Sequence, residues 1–138
     1  MVENIDIIRG LYAAFGQGDI EACYARMAPD IDWCSVGDPV HWPAFGERHG
    51  IEEVKGYFKV LADELEFKDF QVHDICACGH KVVAEGLSRV NFKRGGLPAD
   101  AEWVHIFTVE DGKISRFREF MDTAMVRHVR SRSFALAT

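Results

Sequence analysis

The sequence lacks the features that mark several classes of protein. It has no apolar run near the roughly 20 residues of a membrane-spanning helix. Its start, M-V-E-N-I-D, is acidic and unlike a signal peptide. Basic residues are scarce, with 16 Lys and Arg against 22 Asp and Glu for a net charge of -6, which disfavours a nucleic-acid partner. We therefore expect a cytoplasmic protein that binds neither nucleic acid nor a membrane.

Cysteines are also few and poorly spaced for chemistry. There are four of them: Cys23, Cys34, Cys76 and Cys78. The C-A-C spacing of the last two is wrong for a zinc knuckle and puts both side chains on one face of a strand. In a reducing compartment all four are expected to be free thiols. We expect neither a metal site nor a cofactor.

The composition, with 48% hydrophobic residues and no repeat, linker or low-complexity stretch, fits one globular domain spanning residues 1–138, and the order of its predicted elements is that of an α+β fold. Apolar residues at three- and four-residue spacing predict a first and a third helix: Ile5, Ile8, Tyr12 and Phe15, then Ile51, Val54, Phe58 and Leu61. Asp19 can cap a short second helix between them. From about residue 64 to 120 the period changes to that of long antiparallel strands, and a short helix from Thr123 to Val129 follows.

This order predicts a cone, in which a curved, mostly antiparallel sheet wraps around the N-terminal helices. The interior of such a cone is the natural place for a small-molecule cavity.

The stretch from Trp103 to Asp122 is the most informative part of the sequence. Two alternating strands meet at Asp111-Gly112, which is a strong hairpin signal. With a two-residue loop, His105 would face Arg118. With a bulge at Gly112, His105 would face Phe117 and Trp103 would face Glu119.

We favour the second register because it separates an apolar face from a charged one. The inner face would then carry Trp103, His105, Phe107, Phe117, Glu119 and Met121. Arg116 and Arg118 would point outward. A histidine and a carboxylate would share one apolar surface.

Three motifs resemble the nuclear transport factor 2-like superfamily, in its SnoaL-like and ketosteroid-isomerase-related branch. They are F-G-Q-G-D, W-P-A-F-G-E-R-H-G-I-E-E-V and F-T-V-E-D-G-K-I-S-R-F-R-E-F-M-D. The resemblance covers essentially the whole chain. It implies the cone fold and a homodimer formed through the sheet, where Val104 and Ile106 would otherwise be exposed.

The last motif is locally similar to that of the limonene-1,2-epoxide hydrolases. A catalytic carboxylate of those enzymes falls at Glu119, and their Arg-Val-Asp motif falls at Arg89-Val90-Asn91, where Asn91 replaces the acid. Trp33 and Ser35 fall roughly where those enzymes position a water. SnoaL-like cyclases have a working Asp near the strand end, at Asp122, although its place before Thr123 also predicts a helix cap.

These residues form a hypothesis for a site. Glu119 would act as the base, Arg89 would tune its pKa, and His105 and Asn91 would bind substrate or water. The alternatives are a structural Glu119–Arg89 ion pair and a hydrogen-bonded core histidine. We expect the pocket wall to comprise Trp33, Trp42, Trp103, Tyr24, Tyr57, Phe58, Phe107, Phe117 and Met121.

The function predicted from these features is cofactor-free acid/base catalysis of the isomerase, cyclase or hydrolase type. The substrate would be a small apolar or polycyclic molecule, which an aromatic wall suits. The alternative is a non-catalytic ligand-binding or dimeric assembly module of the same fold.

Overall fold

The computed structural model describes residues 3–138 of the chain. In chain order its elements are α1 (Asn4–Gly16), α2 (Ile20–Tyr24), β1 (Met27–Ser35), β2 (Gly46–His49), α3 (Gly50–Glu64), β3 (Leu65–Cys78), β4 (Lys81–Phe92), β5 (Pro98–Glu110), β6 (Lys113–Met121) and α4 (Thr123–Leu136). The six strands form one curved, unclosed sheet in the order β2-β1-β6-β5-β4-β3. All neighbours are antiparallel except β1 and β6. The predicted α+β cone is confirmed.

The concave face of the sheet packs against α1 and α3. Ile8 and Leu11 of α1 and Val54 and Tyr57 of α3 are buried in the same core cluster as Phe107 of β5. This burial of one face of each helix follows from the apolar spacing in the sequence. Within residues 3–138, no helix is long and apolar enough to cross a membrane.

Two predicted helix caps are present, and the last helix is longer than predicted. Asp19 accepts a hydrogen bond from the Ala22 amide at 3.2 Å, and Asp122 accepts one from the Met125 amide at 3.0 Å. The helix α4 extends to Leu136 because Ser133 anchors its far end. The Ser133 hydroxyl donates to the Arg94 carbonyl at 2.6 Å and accepts from the Leu97 amide at 3.1 Å, in the turn between β4 and β5.

The β5–β6 hairpin starts with the predicted two-residue loop, with Glu110 opposite Lys113, but beyond its turn it follows neither of the two predicted registers. Its turn has positive φ at both central residues, 51° at Asp111 and 76° at Gly112, which is the type I′ geometry of a two-residue loop. A bulge then occurs at Ser115, because Val109 pairs with Ile114 while the preceding Thr108 pairs with Arg116.

Beyond this bulge, His105 lies opposite Glu119 and Trp103 lies opposite Met121. The favoured register is therefore wrong by two residues. A shift of two residues leaves every side chain on the same face of a strand. The predicted inner face is for that reason the observed one, with His105 and Glu119 6% and 7% exposed.

Candidate functional site

A connected set of five polar side chains is built around Glu119. The Glu119 Oε1 atom accepts hydrogen bonds from the Ser35 hydroxyl at 2.7 Å and the Tyr57 hydroxyl at 3.0 Å. Its Oε2 atom lies 2.8 Å from His105 Nε2. The other ring nitrogen of His105, Nδ1, lies 2.8 Å from the Tyr12 hydroxyl. We call these five residues the Glu119 cluster.

Sheet register brings three members of the cluster together. Glu119 on β6 lies directly opposite His105 on β5 and directly opposite Ser35 on β1. Opposite residues on neighbouring strands have their Cβ atoms about 5 Å apart, within reach of a hydrogen bond. The helices α1 and α3 supply Tyr12 and Tyr57 from the other side of the cone.

The carboxylate is nearly saturated by these donors. An ionised carboxylate has about four acceptor positions. Three are used here, two on Oε1 and one on Oε2. One position on Oε2 remains for a water or a ligand hydroxyl.

The cluster keeps Glu119 ionised and its tyrosines protonated. Burial raises the pKa of the Glu119 carboxyl, but the hydrogen bond and charge of His105 and the two hydroxyl donors outweigh it, so the pKa lies below its ordinary value. Burial, followed by the charge of Glu119, raises the pKa of Tyr12. The same two causes, with the hydrogen bond to Glu119, raise the pKa of Tyr57 well above its usual range.

The Glu119 cluster lies on the wall of a partly open cavity of about 110 Å³. Four of its members line this cavity: Tyr12, Tyr57, His105 and Glu119. The rest of the wall is almost entirely apolar and includes predicted wall residues: Trp33, Trp42, Phe58, Phe107, Phe117 and Met121. The arrangement joins an ionised carboxylate and an imidazole to an apolar space.

Two predicted wall residues do not line the cavity. Trp103 is buried behind His105, with ring centroids 4.1 Å apart in a stacked arrangement. Tyr24 packs edge-on against Phe58 at 5.7 Å, outside the cavity. These two side chains pack against residues of the wall and of the cluster from behind, and do not contact the cavity themselves.

The predicted placement of Arg89 and Asn91 is wrong. The inward residues of β4 are Ser88, Val90 and Phe92, so both odd-numbered neighbours point to the outer face. The Arg89 side chain is 54% exposed and lies 3.9 Å from Asp100, not beside Glu119. Asp122 is exposed and serves as the cap of α4.

Tyr12 is the member of the cluster that sequence reasoning missed. Its spacing placed it correctly on the buried face of α1, but its bond to His105 spans 93 residues and has no local signal. The usable signal was chemical, because a buried tyrosine hydroxyl usually finds a hydrogen-bond partner. Ser35 was indicated only through the resemblance.

No metal site accompanies the cluster. Across residues 3–138, no group of three His, Cys, Asp or Glu side chains is placed to hold a metal ion. The four cysteines are free, with Cys23 and Cys34 buried and Cys76 and Cys78 exposed.

Comparison with known proteins agrees with this architecture. A family model described as a SnoaL-like domain matches residues 8–117. A nuclear transport factor 2-like protein of unknown function from Burkholderia pseudomallei K96243 is 25% identical, with a TM-score of 0.85, over 94% of this chain and 98% of that one. TerC, in a structure co-crystallised with polyporic acid, is 26% identical, with a TM-score of 0.83, over 93% and 98%.

A third structure shares the fold at lower identity. It is a protein from Mesorhizobium loti provisionally named a SnoaL-like polyketide cyclase, 20% identical, with a TM-score of 0.71, over 86% of this chain and 99% of that one. No functionally curated protein matches the sequence. The resemblance to limonene-1,2-epoxide hydrolases is not shown, and Arg89 and Asn91, which partly carried it, lie outside the cavity.

Proposed function

This chain belongs to the SnoaL-like family, and from that premise we propose that it binds a small apolar molecule in its cavity and transfers protons to and from it without a cofactor. The observation that carries the proposal is the bonded Glu119–His105 pair on the wall of an apolar cavity. A carboxylate and an imidazole in one water-poor space suit general acid/base catalysis.

The two ionisable groups take different roles in this proposal. Glu119 is a weak base because its pKa is held below the ordinary value. Its Oε2 atom accepts a hydrogen bond from His105 Nε2–H at 2.8 Å and keeps one open acceptor position. Through that position Glu119 takes the proton from the ligand, and His105 orients and stabilises the carboxylate.

Tyr12 completes the path to the ligand. When the imidazole is neutral, the Tyr12 hydroxyl donates to His105 Nδ1. When the imidazole is protonated, Nδ1–H donates to the Tyr12 oxygen instead, and the phenol O–H is free to donate to a ligand oxygen. A ligand O–H can return a proton by the reverse transfers, from ligand to Tyr12 and from Tyr12 to His105.

This chemistry suits isomerisation or aldol-type cyclisation, in which Glu119 Oε2 takes a proton from the carbon next to a carbonyl, the Tyr12 O–H donates to the oxyanion that develops, and the reverse transfers return both protons. The names of related structures, including the Mesorhizobium loti cyclase, support this class. An epoxide-hydrolase reaction is not part of the proposal, because no arginine of the described residues 3–138 lines the cavity beside Glu119.

The test is deuterium incorporation at the carbon next to the carbonyl of acetophenone in D₂O, followed by NMR. We expect the wild-type protein to accelerate exchange, and His105→Asn and Glu119→Gln to reduce the acceleration by about 10²-fold or more, the usual size of a general-base contribution. Arg89→Gln, on the outer face, is the matched control and should exchange like wild type. Equal exchange by wild type and His105→Asn would refute the acid/base role.

A non-catalytic binding module is the second candidate. Three of the four acceptor positions of Glu119 are already filled by protein donors, which is also what a structural buried carboxylate requires. In that case Glu119→Gln would lower the melting temperature and leave acetophenone exchange at the rate of buffer alone.

We also propose that a second copy of the chain covers the outer face of the sheet. Val104 and Phe120 lie opposite each other there and are 36% and 43% exposed. Apolar neighbours on an open sheet face are often an interface. A dimeric mass by light scattering, reduced to a monomeric mass by Phe120→Asp, is the expected result; a wild-type monomer at micromolar concentration would contradict it.

A further inference from the structure

We infer that the ligand is a neutral molecule about the size of one aromatic ring, with an oxygen that meets the Glu119 cluster. The inference deepens the proposed function and rests on it for the identity of the site. It is carried by the volume of the cavity, by the sign of the charge around it and by the distribution of its polar groups.

The volume of the cavity sets the size of the ligand. A cavity of about 150 Å³ lined by apolar side chains holds benzene, whereas pockets for drug-sized molecules are roughly 300–1,000 Å³. The cavity here is about 110 Å³ and is partly open to solvent, so it takes a single ring whose far edge lies at the mouth. Its wall is tightly packed, with Trp33 and Phe117 stacked at 3.9 Å between ring centroids. Side chains packed at this density resist displacement, so a second fused ring would lie outside the apolar wall.

The charge around the cavity sets the charge of the ligand. No Lys or Arg is among the cavity-lining residues within 3–138, and Glu119 supplies a fixed negative charge. The other titratable groups on the wall are Tyr12 from α1, Tyr57 from α3, His105 from β5 and Cys23 from α2. Burial raises the pKa of the Cys23 thiol to about 11, so it carries no charge at neutral pH. The site is negative when His105 is neutral and has no net charge when His105 is protonated, so it is never positive. A ligand anion would lose its hydration and gain no counter-charge.

The guanidiniums near the wall do not change this sign. Arg130 lies 5.7 Å from the centre of the Trp42 ring, but it does not line the cavity and is paired with Glu64 at 3.0 Å. Arg48 lies 5.8 Å from the centre of the Tyr57 ring, but it does not line the cavity. Its N–H groups donate to the carbonyls of Ala44 and Pro43 at 3.0 and 2.9 Å. Its guanidinium is therefore hydrogen-bonded to the loop before β2.

The polar groups of the wall set the orientation of the ligand. One further hydroxyl, that of Ser88, lines the cavity away from the cluster. Ser88 is four residues along β4 from Ala84, the partner of His105, which is roughly 13 Å by strand rise. A ring-sized ligand cannot reach both. Its oxygen would meet Tyr12 and the open position on Glu119, and its ring would lie among Trp33, Phe107 and Phe117.

The test compares the affinities of four compounds at neutral pH by isothermal titration: acetophenone, benzoate, 2-acetonaphthone and polyporic acid. The first two match in size and differ in charge, and the first and third match in chemistry and differ in size. We expect acetophenone to bind at least about tenfold more tightly than each of the other three. Equal binding of benzoate or polyporic acid would overturn the charge argument, equal binding of 2-acetonaphthone would overturn the size argument, and failure of acetophenone to bind would overturn both.

Two variants make the test specific to the site. Glu119→Gln removes the fixed charge and should bring the affinities of benzoate and acetophenone to within about threefold of each other. Leu11→Ala widens the wall and should improve binding of 2-acetonaphthone by about tenfold, with Leu61→Ala as a second widening variant should the first not fold. Unchanged ratios in these variants would overturn the inference. These titrations measure binding alone. If the affinity ratios are as expected but the protein does not accelerate proton exchange, the catalytic proposal fails and the inference about the ligand stands.

Discussion

Replacing Tyr57 by Phe should lower the free energy of unfolding by about 2 kcal/mol. The change removes a single hydroxyl, which donates to Glu119 Oε1 at 3.0 Å. A hydrogen bond to a charged group contributes about 1.5–3 kcal/mol. The ring itself would remain, with its edge-on contacts to Trp33 and Phe58 at 5.1 and 5.2 Å, so little apolar burial is lost.

Urea denaturation at neutral pH measures this loss as a lower midpoint with an unchanged slope. For a chain of this size the melting temperature should fall by about 8 °C. Tyr24→Phe is the matched control, because the Tyr24 hydroxyl makes no side-chain hydrogen bond within the described part of the chain. It should change stability by less than about 0.5 kcal/mol. An equally small loss in Tyr57→Phe would show that its hydroxyl does not serve a buried carboxylate.

Three further outcomes follow from other contacts. The pKa of Glu119 is lower in the folded state, so its contribution to stability is present above the unfolded pKa of about 4.3 and is lost as the pH falls through the folded pKa. Wild type should therefore lose stability in acid more steeply than Glu119→Gln. Parallel curves of stability against pH for the two proteins would contradict this. Gly86→Ala should destabilise by about 1–3 kcal/mol in a chemical denaturation, because an added Cβ would overlap the ring of Trp103 and the carbonyl of Gln71; a neutral result would mean that the sheet can move at this point. Ser133→Ala should lower the free energy of unfolding by about 1–3 kcal/mol, since it removes both side-chain hydrogen bonds between α4 and the β4–β5 turn. Loss of amide protection in α4, measured by hydrogen exchange, would show that the loss of stability lies in this helix.

The inner face of the β5–β6 hairpin could be predicted because it depends on alternation alone. His105 and Glu119 stand in strands whose other inward residues are large and apolar, so the face was clear even though the register was not. The register depends on a bulge at Ser115, which leaves no mark in the composition of either strand. The direct pairing of His105 with Glu119 could therefore not be read from the sequence.

The strand β4 was placed wrongly although its alternation pointed to the observed face. Its inward side contains Val82, Val90 and Phe92 beside the small residues Ala84, Gly86 and Ser88, while its outward side contains Lys81, Glu85 and Arg89. Val83 and Leu87 on the outer face weaken the contrast, and a resemblance placed Arg89 on the wrong face. Small residues face inward here because the wide indole of Trp103 occupies the space over Gly86. That is a tertiary constraint and is not visible in one strand.

The bulge at Ser115 decides where the hairpin can lose a residue without losing the site. Ile114 and Phe117 are three residues apart and both face inward, which a regular strand does not allow. Removing Ser115 would leave Ile114 and Phe117 two residues apart, the spacing of a regular strand, so Phe117 and Glu119 would stay inward and Arg118 outward. A deletion at position 115 should accordingly be absorbed, whereas a deletion of Arg118 would turn Phe117 or Glu119 outward, so that in this fold the effect of a single-codon deletion on the site depends on where it falls relative to the bulge.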